Sequence, residues 1–259
     1  MKNNRTFVII NDVGDQNGKG RQKGRFHSIS GQLPIFVWIK NDIEAGFNLI
    51  DQFAALKGKP GGFICQSAPR TDSTNGTNGT QFCYFWIGTS VFVTSVNGYI
   101  LSLVKKLGLV KSVNVIKSHE AVTQLGLGDE EDSQFRSLEW LAEFLLNSLL
   151  KGKDLPHVTL DIDEIDNLPK CVVHVDKWKK HKKWGNCKLS VTENEIPISG
   201  YLSVKGKKIK IYNRLKDVPE GKLGVVVGSS GLKGRRFLEV VVGNGNAARK
   251  LRLKVGSKI

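Results

Sequence analysis

The sequence lacks the patterns that define a zinc site, a redox dithiol, a phosphate loop or a nucleophile elbow. Its four cysteines, Cys65, Cys83, Cys171 and Cys187, stand far apart with no C-x-x-C pair, which predicts reduced, buried thiols. "GDQNGKG" lacks the G-x-x-x-x-G-K-[ST] spacing, and "GVVVGSSG" lacks the G-x-S-x-G spacing. We therefore expect no metal site and no bound cofactor.

Long apolar runs are also missing. No stretch approaches the roughly 20 residues that a membrane-spanning helix needs. The apolar part of the N-terminal "MKNNRTFVII" is too short for a signal peptide. A chain of 259 residues, 40% of them hydrophobic, has material for one large core or two modest ones. We expect a cytoplasmic protein of one or two globular domains with no membrane partner.

The positive charge is concentrated in the last third of the chain. Residues 1–169 carry 17 Lys and Arg against 18 Asp and Glu, whereas residues 170–259 carry 22 against six. The change at "DNLPKC" predicts a domain boundary near Pro169, with one domain over 1–169 and a basic domain over 170–259. The basic domain either meets an anionic partner or carries a solubilising lysine surface.

Strand and helix patterns alternate in the first domain. "RTFVIINDVG", "LPIFVWI", "GGFICQSA", "QFCYFWIG" and "SVFVTSVNG" are typical of buried strands. "NDIEAGFNLIDQFAALKG", "GYILSLVKKLGL" and "FRSLEWLAEFLLNSLLKG" are typical of helices. This order predicts an α/β domain with a mostly parallel sheet. Ligands of such sheets lie beyond the carboxyl ends of the strands, so Asp12 and Asn97 are candidate ligand residues.

The second domain has a different pattern. Short β runs such as "CVVHVDKW", "CKLSVTE", "GYLSVKG", "KIKIYNRL", "KLGVVVGS" and "RFLEVVVG" follow one another, and no helix is predicted before "NAARKL". Regularly spaced short strands predict a small antiparallel barrel or sandwich.

Four segments carry a resemblance in the same order. "INDVGDQNGKGRQKG", "FVTSVNGYILSLV", "VDKW…WGN" and "LKDVPEGKLGVVVGSSGLKGRRFLEVVVGNGNAARKLRLKVGSKI" are similar to segments of the S-adenosylmethionine hydroxide adenosyltransferases and of the related fluorinase and chlorinase. "VDKW…WGN" resembles their "VDRFGN", here divided by a basic insertion at 177–183. The resemblance implies a doubly wound N-terminal domain, a small C-terminal β-barrel, and a homotrimer that holds each ligand between domains of adjacent subunits.

The ligand that the resemblance implies is S-adenosylmethionine or adenosine. Asp12 would accept hydrogen bonds from the ribose hydroxyls. Asp176 and Asn186 would hold the ammonium and carboxylate of the methionine part, with Trp184 where the family has phenylalanine. If Asp12 has only a structural role, it ends a strand.

Two further segments would complete the binding site. Ser229 and Ser230, in a turn, would face the methionine end, and the backbone around Asn246 and Ala247 would pair with the adenine edge. The alternatives are an ordinary hairpin at the serines and a helix N-cap at Asn246.

The catalytic Asp, Arg and His of the family are not matched. Alignment of the prolines puts Ala68 at the position of the aspartate, and Arg136 stands in place of the histidine. A guanidinium, with a pKa above about 12, cannot be a general base near neutral pH. The remaining catalytic candidates are Arg70, Asp72 and His119. The setting of His119, "IKSHEAV", is more typical of a surface or helix-cap histidine.

Three hypotheses follow. The chain is an enzyme that hydrolyses S-adenosylmethionine to adenosine and methionine by water attack at ribose C5′. Alternatively, it binds the ligand without turnover. In the third, the basic domain binds RNA, a ribosome or another anionic partner, since lysine runs such as "KWKKHKK" and "KGKKIK" recur about once per hairpin.

Overall fold

The strand patterns of the sequence form separate sheets in the two parts of the computed structural model. The structure describes residues 5–67, 81–96, 98–128, 139–176 and 185–259. Two units divide the chain, Met1–Asp166 and Asn167–Ile259. The division lies close to Pro169.

The N-terminal unit alternates strands and helices. Its strands are β1 (Thr6–Asn11), β2 (Ile35–Trp38), β3 (Gly61–Gln66), β4 (Phe82–Ile87), β5 (Ser90–Ser95), β6 (Ser112–Ile116) and β7 (His157–Asp161). Its helices are α1 (Gln16–Ser30), α2 (Asp42–Ala55), α3 (Ser102–Lys106), α4 (Ser118–Leu125) and α5 (Leu141–Glu143). The last continues as a π-helix (Phe144–Ser148) and a 3-10 turn (Leu149–Lys151), and a 3-10 turn (Ile162–Glu164) follows β7. In the described ranges, every helix is too short or too polar to span a membrane.

The seven strands form one mixed sheet in the order β2-β1-β3-β5-β4-β6-β7. The pairs β1–β2, β1–β3 and β3–β5 are parallel, as the alternating pattern predicts. The pairs β4–β5, β4–β6 and β6–β7 are antiparallel. The reversal begins at Gly88 and Thr89, because a connection of two residues joins only antiparallel neighbours.

Helices cover both faces of this sheet. On one face, Phe7 of β1 packs with Phe26 of α1 and with residues of α5. On the other face, the rings of Phe63 and Phe92 stack 4.6 Å apart, and Phe53 of α2 meets Phe92 edge-on at 5.4 Å. Burial on both faces explains why these strands read as nearly continuous apolar runs.

Helix α1 is an element that the sequence pattern does not predict. It contains Gly18, Gly20 and Gly24, each of which costs about 1 kcal/mol relative to alanine in a helix interior. Its N-cap is Asp15, whose side chain accepts a hydrogen bond from the Gly18 amide at 2.6 Å. The cap at Asp15 and the packing of the Phe26 side chain therefore offset the low helix propensity of the glycines. Strands β6 and β7 are also not predicted.

The C-terminal unit is built from antiparallel strands. These are β8 (Val172–Val175), β9 (Cys187–Thr192), β10 (Tyr201–Val204), β11 (Lys207–Lys210), β12 (Leu223–Leu232) and β13 (Arg235–Val242). One sheet has the order β12-β13-β9-β8, and β10 pairs with β11. The 3-10 turns Glu193–Glu195 and Leu215–Asp217 and the helix α6 (Ala247–Leu251) complete it. The predicted separate antiparallel sheet is confirmed, and closure into a barrel remains a prediction.

The four cysteines are free and buried, as predicted. Burial raises the pKa of Cys65 to about 12 and that of Cys187 to about 12, and the charge of Asp176 also raises the latter. Both side chains are therefore neutral thiols near neutral pH.

The packing of α2 gives a test of the N-terminal fold. A methyl group at Gly46 would lie 2.7 Å from the carbonyl oxygen of Ile100. We expect Gly46→Ala to lower the free energy of unfolding by about 1–3 kcal/mol, because a backbone carbonyl cannot move aside. Urea unfolding measures the change.

The matched control is Gly24→Ala in α1, where no atom lies within 4 Å of an added methyl group. This variant gains helix propensity, and its free energy of unfolding should rise by about 1 kcal/mol. Equal effects at the two glycines would contradict the packing described for α2.

Candidate functional site

The carboxyl ends of β1 and β3 meet at one edge of the N-terminal sheet. The chain leaves β1 for β2 on one side, while β3 is followed by strands on its other side. This arrangement makes the crevice between β1 and β3 a topological switch point, where open α/β sheets bind ligands. Asp12 directly follows β1 there and is partly buried.

A pair of amides supports the backbone beside Asp12. Asn11 is buried, and its Nδ2 donates to Oε1 of Gln66 at 3.2 Å. Its Oδ1 accepts a hydrogen bond from the Val13 amide at 2.7 Å, which fixes the turn that carries Asp12. Sequence reasoning missed Asn11 and Gln66, although each is the polar last residue of an apolar strand.

An indole lies at the same edge. Trp38 ends β2, is paired with Asn11 across the two strands, and is 44% exposed. The ammonium of Lys40 lies 5.9 Å from the indole ring. A carboxylate, two amides and a partly exposed aromatic ring are groups that a nucleoside site uses. The sequence pattern marked Trp38 only as part of an apolar strand.

The other N-terminal candidates divide into two groups. Asn97, Arg70 and Asp72 lie outside the described residues. His119 is exposed in the first turn of α4, which follows β6. Because β6 runs in the same direction as β1, both strands end at the same edge. Four strand spacings separate them, about 19 Å in all.

In the C-terminal unit, the two halves of the divided motif meet. Strands β8 and β9 are antiparallel, with Val175 opposite Cys187. One residue further out, the Asp176 amide donates to the Asn186 carbonyl at 3.0 Å. The basic insertion at 177–183 therefore lies within the connection of a hairpin. Trp184 and the insertion fall outside the described residues.

Lys188 lies between two carboxylates beside this hairpin. Its Nζ donates to both carboxylate oxygens of Asp176 at 3.0 Å and lies 3.1 Å from Oε1 of Glu239. The side chains of Lys188 and Glu239 are each 9% exposed. His174 pairs with Lys188 across β8 and β9, with its Nε2 3.6 Å from Oδ1 of Asp176. We call Asp176, Lys188 and Glu239 the lysine-centred cluster.

The charge state of this cluster follows from its geometry. Burial lowers the pKa of Lys188, but Glu239 and Asp176 outweigh that effect, so the pKa lies above its ordinary value. Lys188 is therefore an ammonium near neutral pH. Neither it nor Glu239 was identified from the sequence, because Lys188 alternates with Cys187 and Leu189, a pattern typical of a lysine on the solvent face of a strand.

The Asn246 segment contacts the same hairpin. A methyl group at Gly185 would come within 2.5 Å of Oδ1 of Asn246, and the Ala248 amide donates to the Gly185 carbonyl at 2.9 Å. Asn246 is the N-cap of α6, where its Oδ1 accepts a hydrogen bond from the Arg249 amide at 2.7 Å. Ala247 is fully buried.

The position of Ser229 and Ser230 corrects the sequence interpretation. They lie inside β12, where the pairing with β13 is irregular between Val227 and Gly231, and not in a turn. The hairpin turn comes later, at Lys233 and Gly234. An irregular ladder changes which face a side chain takes, so Ser229 is exposed and Ser230 is buried.

A continuous set of contacts links these segments. Gly228, next to Ser229, packs so closely on Glu239 that a methyl group would lie 2.4 Å from its Oε1. From Glu239 the contacts run through Lys188 to Asp176, and from there through the hairpin to Asn186. The predicted ligand residues of this unit that the structure describes therefore border the lysine-centred cluster or its hairpin.

Two cavities of the N-terminal unit lie away from these positions. One, of about 270 Å³, is lined by residues such as Arg5 and Phe7, at the opposite end of β1 from Asp12. The other, of about 540 Å³, is lined by Arg21, Arg25 and Trp140 among others. Strand topology favours the carboxyl edge over either cavity. The described part of the chain holds no cluster of His, Cys, Asp and Glu suited to a metal.

Comparisons with known proteins fit this geometry. Residues 171–259 match the family model of the SAM hydroxide adenosyltransferase C-terminal domain. The resemblance recognised from the sequence is thereby confirmed. No curated protein matches the chain.

Two solved structures are similar over nearly the whole chain. An uncharacterized conserved protein from Thermotoga maritima has a TM-score of 0.69 and 19% identity, covering 97% of this chain and 98% of that one. A conserved hypothetical protein from Thermus thermophilus has a TM-score of 0.59 and 19% identity, covering 98% of this chain and 97% of that one. At such identities the likeness shows the fold alone.

The lysine-centred cluster can be tested by stability. We expect Lys188→Met to lower the free energy of unfolding by about 3–5 kcal/mol, because it leaves the buried carboxylate of Glu239 and the partly buried one of Asp176 without their cation. The double variant Lys188→Met/Glu239→Gln should be less destabilised than Lys188→Met alone, since one uncompensated charge is gone. Urea unfolding of the two single variants and the double variant measures this coupling. Additive losses would show that Lys188 and Glu239 do not interact.

Proposed function

Because the chain carries the C-terminal domain of the S-adenosylmethionine hydroxide adenosyltransferase family over residues 171–259, we propose that it binds an adenosyl compound, S-adenosylmethionine or adenosine. The observation that carries this proposal is the meeting of Asp176, Asn186 and Asn246 around one hairpin of the matched domain. These residues are distant in sequence, and their convergence is what a ligand site requires.

Within the C-terminal unit, the roles follow the chemistry of each group. The backbone around Asn246 and Ala247 would pair with the adenine edge, which offers both donors and acceptors. Asn186, opposite Asp176, would present its amide toward the 5′ side of the ligand. Ser229, exposed on the irregular part of β12, would contribute a hydroxyl. We assign Trp184 and Ser230 to the same end on the strength of the family resemblance.

In the N-terminal unit, we propose that Asp12 accepts hydrogen bonds from the ribose hydroxyls. Support comes from its place after β1 at the switch point and from the amide pair of Asn11 and Gln66 beside it. We also assign Asn97 to this site, because it follows β5 in the sequence.

Hydrolysis at ribose C5′ is the reaction that the family implies, and it has less support than binding. Arg70 and Asp72 lie outside the described residues. By strand spacing, the end of β6, which His119 follows, lies about 19 Å from the end of β1, more than the length of a ribose. A single sugar held by Asp12 would not reach it. Binding is therefore the function proposed, and turnover is decided by product analysis.

The assembly is also part of the proposal. We propose a homotrimer with a doubly wound N-terminal sheet and a C-terminal barrel, as the resemblance implies. An exposed apolar edge supports association, because β2 ends the sheet and Leu33, Ile35 and Trp38 are 73%, 50% and 44% exposed. Apolar edge strands are usually covered by a partner.

Calorimetry with adenosine and with S-adenosylmethionine tests the binding function. Asp12→Ala should weaken the binding of both by about 100-fold, because a hydrogen bond to a charged group contributes about 1.5–3 kcal/mol. Chromatography of the incubated mixture then shows whether S-adenosylmethionine gives adenosine and methionine.

The matched control is Glu120→Ala on α4, which removes an exposed carboxylate paired only with Lys117 among the contacts the structure describes. Such surface pairs contribute about 0–1 kcal/mol, so ligand affinity should not change. Unchanged affinity in Asp12→Ala would refute the assignment of Asp12.

Nucleic-acid binding is the second candidate function, and one observation favours it. On the β10–β11 hairpin, Lys208 lies 4.7 Å from the ring of Tyr201, and Lys210 lies 5.2 Å from that of Tyr212. Exposed cations beside aromatic rings are typical of surfaces that track a phosphate backbone and stack on bases. The excess of Lys and Arg over Asp and Glu in residues 170–259 also favours binding to a nucleic acid.

Fluorescence anisotropy with a single-stranded RNA oligonucleotide tests this candidate. We expect the double variant Lys208→Ala/Lys210→Ala to weaken binding by roughly tenfold and to flatten its dependence on salt, because fewer counterions are released. The control, Lys59→Ala/Lys111→Ala, removes two exposed lysines of the N-terminal unit. Equal losses in both double variants would indicate attraction by net charge alone.

A further inference from the structure

The cavity at the amino end of β1 has an apolar lining and two cations. Its volume is about 270 Å³. Four side chains, from β1, α1 and the helical turns that follow α5, supply the apolar part: Phe7, Ile29, Leu146 and Leu150. Arg5 and Lys151 supply the positive charges, and none of the lining residues that the structure describes is acidic. The cavity therefore combines the two properties that hold a molecule with an anionic head and an apolar chain.

The positive charge of this lining is not balanced by the residues beside it. Nζ of Lys151 donates to Oδ1 of Asn147 at 2.7 Å, and an amide oxygen carries no charge. Nδ2 of the same amide donates to the carboxylate of Glu143. Glu143 already has a cation, because Nη2 of Arg25 lies 2.7 Å from its Oε1. Two uncompensated cations therefore remain at the cavity.

The guanidinium of Arg5 keeps one edge available for a carboxylate. Its Nη1 donates to the carbonyl oxygens of Gly61 at 2.9 Å and Thr89 at 2.7 Å, which uses both hydrogens of that nitrogen. The contacts that the structure describes leave Nε and Nη2, which together form the other edge, without an acceptor. Two parallel N–H groups on one edge match the two oxygens of a carboxylate. Burial lowers the pKa of Arg5, so a carboxylate at this edge would offset the cost of desolvating the cation.

We propose that this cavity binds a monocarboxylate with a short apolar chain. The carboxylate lies against the free edge of Arg5 and near Lys151, and the chain lies against Phe7 and the two leucines. The volume is slightly below the roughly 300–1,000 Å³ of pockets for drug-sized ligands, which limits the ligand to a small molecule. The site is separate from the proposed adenosyl site, because Asp12 lies at the other end of β1.

A series of small probes on the unmodified protein provides the first test. Calorimetry should show binding of hexanoate, with an affinity that falls roughly fourfold for each methylene removed on the way to acetate, because less apolar surface is buried. Two probes keep the chain and change the head: 1-hexanol is neutral, and hexylamine is a cation near neutral pH. Both should bind about tenfold or more weakly than hexanoate, because a hydrogen bond to a charged partner is lost.

The second test removes each cation in turn. Arg5→Gln should weaken hexanoate binding by about tenfold or more, because the bidentate contact is lost. Lys151→Gln should weaken it by about threefold, since an exposed lysine contributes less. Lys111→Gln removes an exposed lysine of the same unit that does not line the cavity, and it should leave the affinity unchanged.

Several outcomes would overturn the inference. Hexanoate does not bind, or hexylamine binds as tightly as hexanoate, or saturating adenosine displaces hexanoate and so locates it in the adenosyl site. Unchanged affinity in both cavity variants would have the same meaning. Because Arg5 also ties β1 to the carbonyls of Gly61 and Thr89, Arg5→Gln is first checked by urea unfolding. If that variant does not fold, the probe series and Lys151→Gln decide the inference.

Discussion

The interaction on which the C-terminal site depends is the ammonium of Lys188 between Asp176 and Glu239. These residues belong to the end of β8, to β9 and to β13, so one buried cation joins three segments of the sheet. They lie on the face opposite the apolar core formed by residues such as Leu189, Leu238 and Val240. Hydrophobic packing fixes one face of this sheet, and charge pairing fixes the other together with a smaller apolar cluster that includes Val226 and Val241. Because the buried carboxylate of Glu239 would be left without a cation, loss of Lys188 is expected to cost several kcal/mol.

This charge pairing also explains how a basic insertion is compatible with an ordered hairpin. Asp176 and Asn186 form a backbone hydrogen bond although the residues of the insertion separate them in the sequence. Loop-closure entropy rises only with the logarithm of loop length, so a longer connection costs little once its ends are held. The pairing of β8 with β9 holds these ends together. The ion pair between Lys188 and Asp176, the last residue before the insertion, also holds them.

Sequence patterns predicted the elements whose stability is local. Strand β1 and helix α2, with its Asn41 cap, follow from apolar periodicity and capping residues. Other features depend on contacts distant in sequence. Helix α1 is stable despite its glycines because Phe26 packs into the core. Ser229 and Ser230 lie within β12 and not in the predicted turn, because that strand continues through an irregular part of its pairing with β13. The burial of Lys188 could not be predicted from the local sequence either, because its partner Glu239 lies on β13, which is distant in the sequence. Asp12 could be selected because strand ends mark ligand sites whatever the details of packing.

The lysine-centred cluster and the backbone contacts of the hairpin are separate features of the C-terminal unit. The backbone contacts that bring Gly185, Asn186 and Asn246 together do not involve the side chain of residue 188. A substitution at residue 188 can therefore change the charge beside the hairpin while these backbone contacts remain. Since function depends on the chemistry of such side chains more than on the architecture that carries them, the fold of residues 171–259 does not by itself determine which ligand is bound.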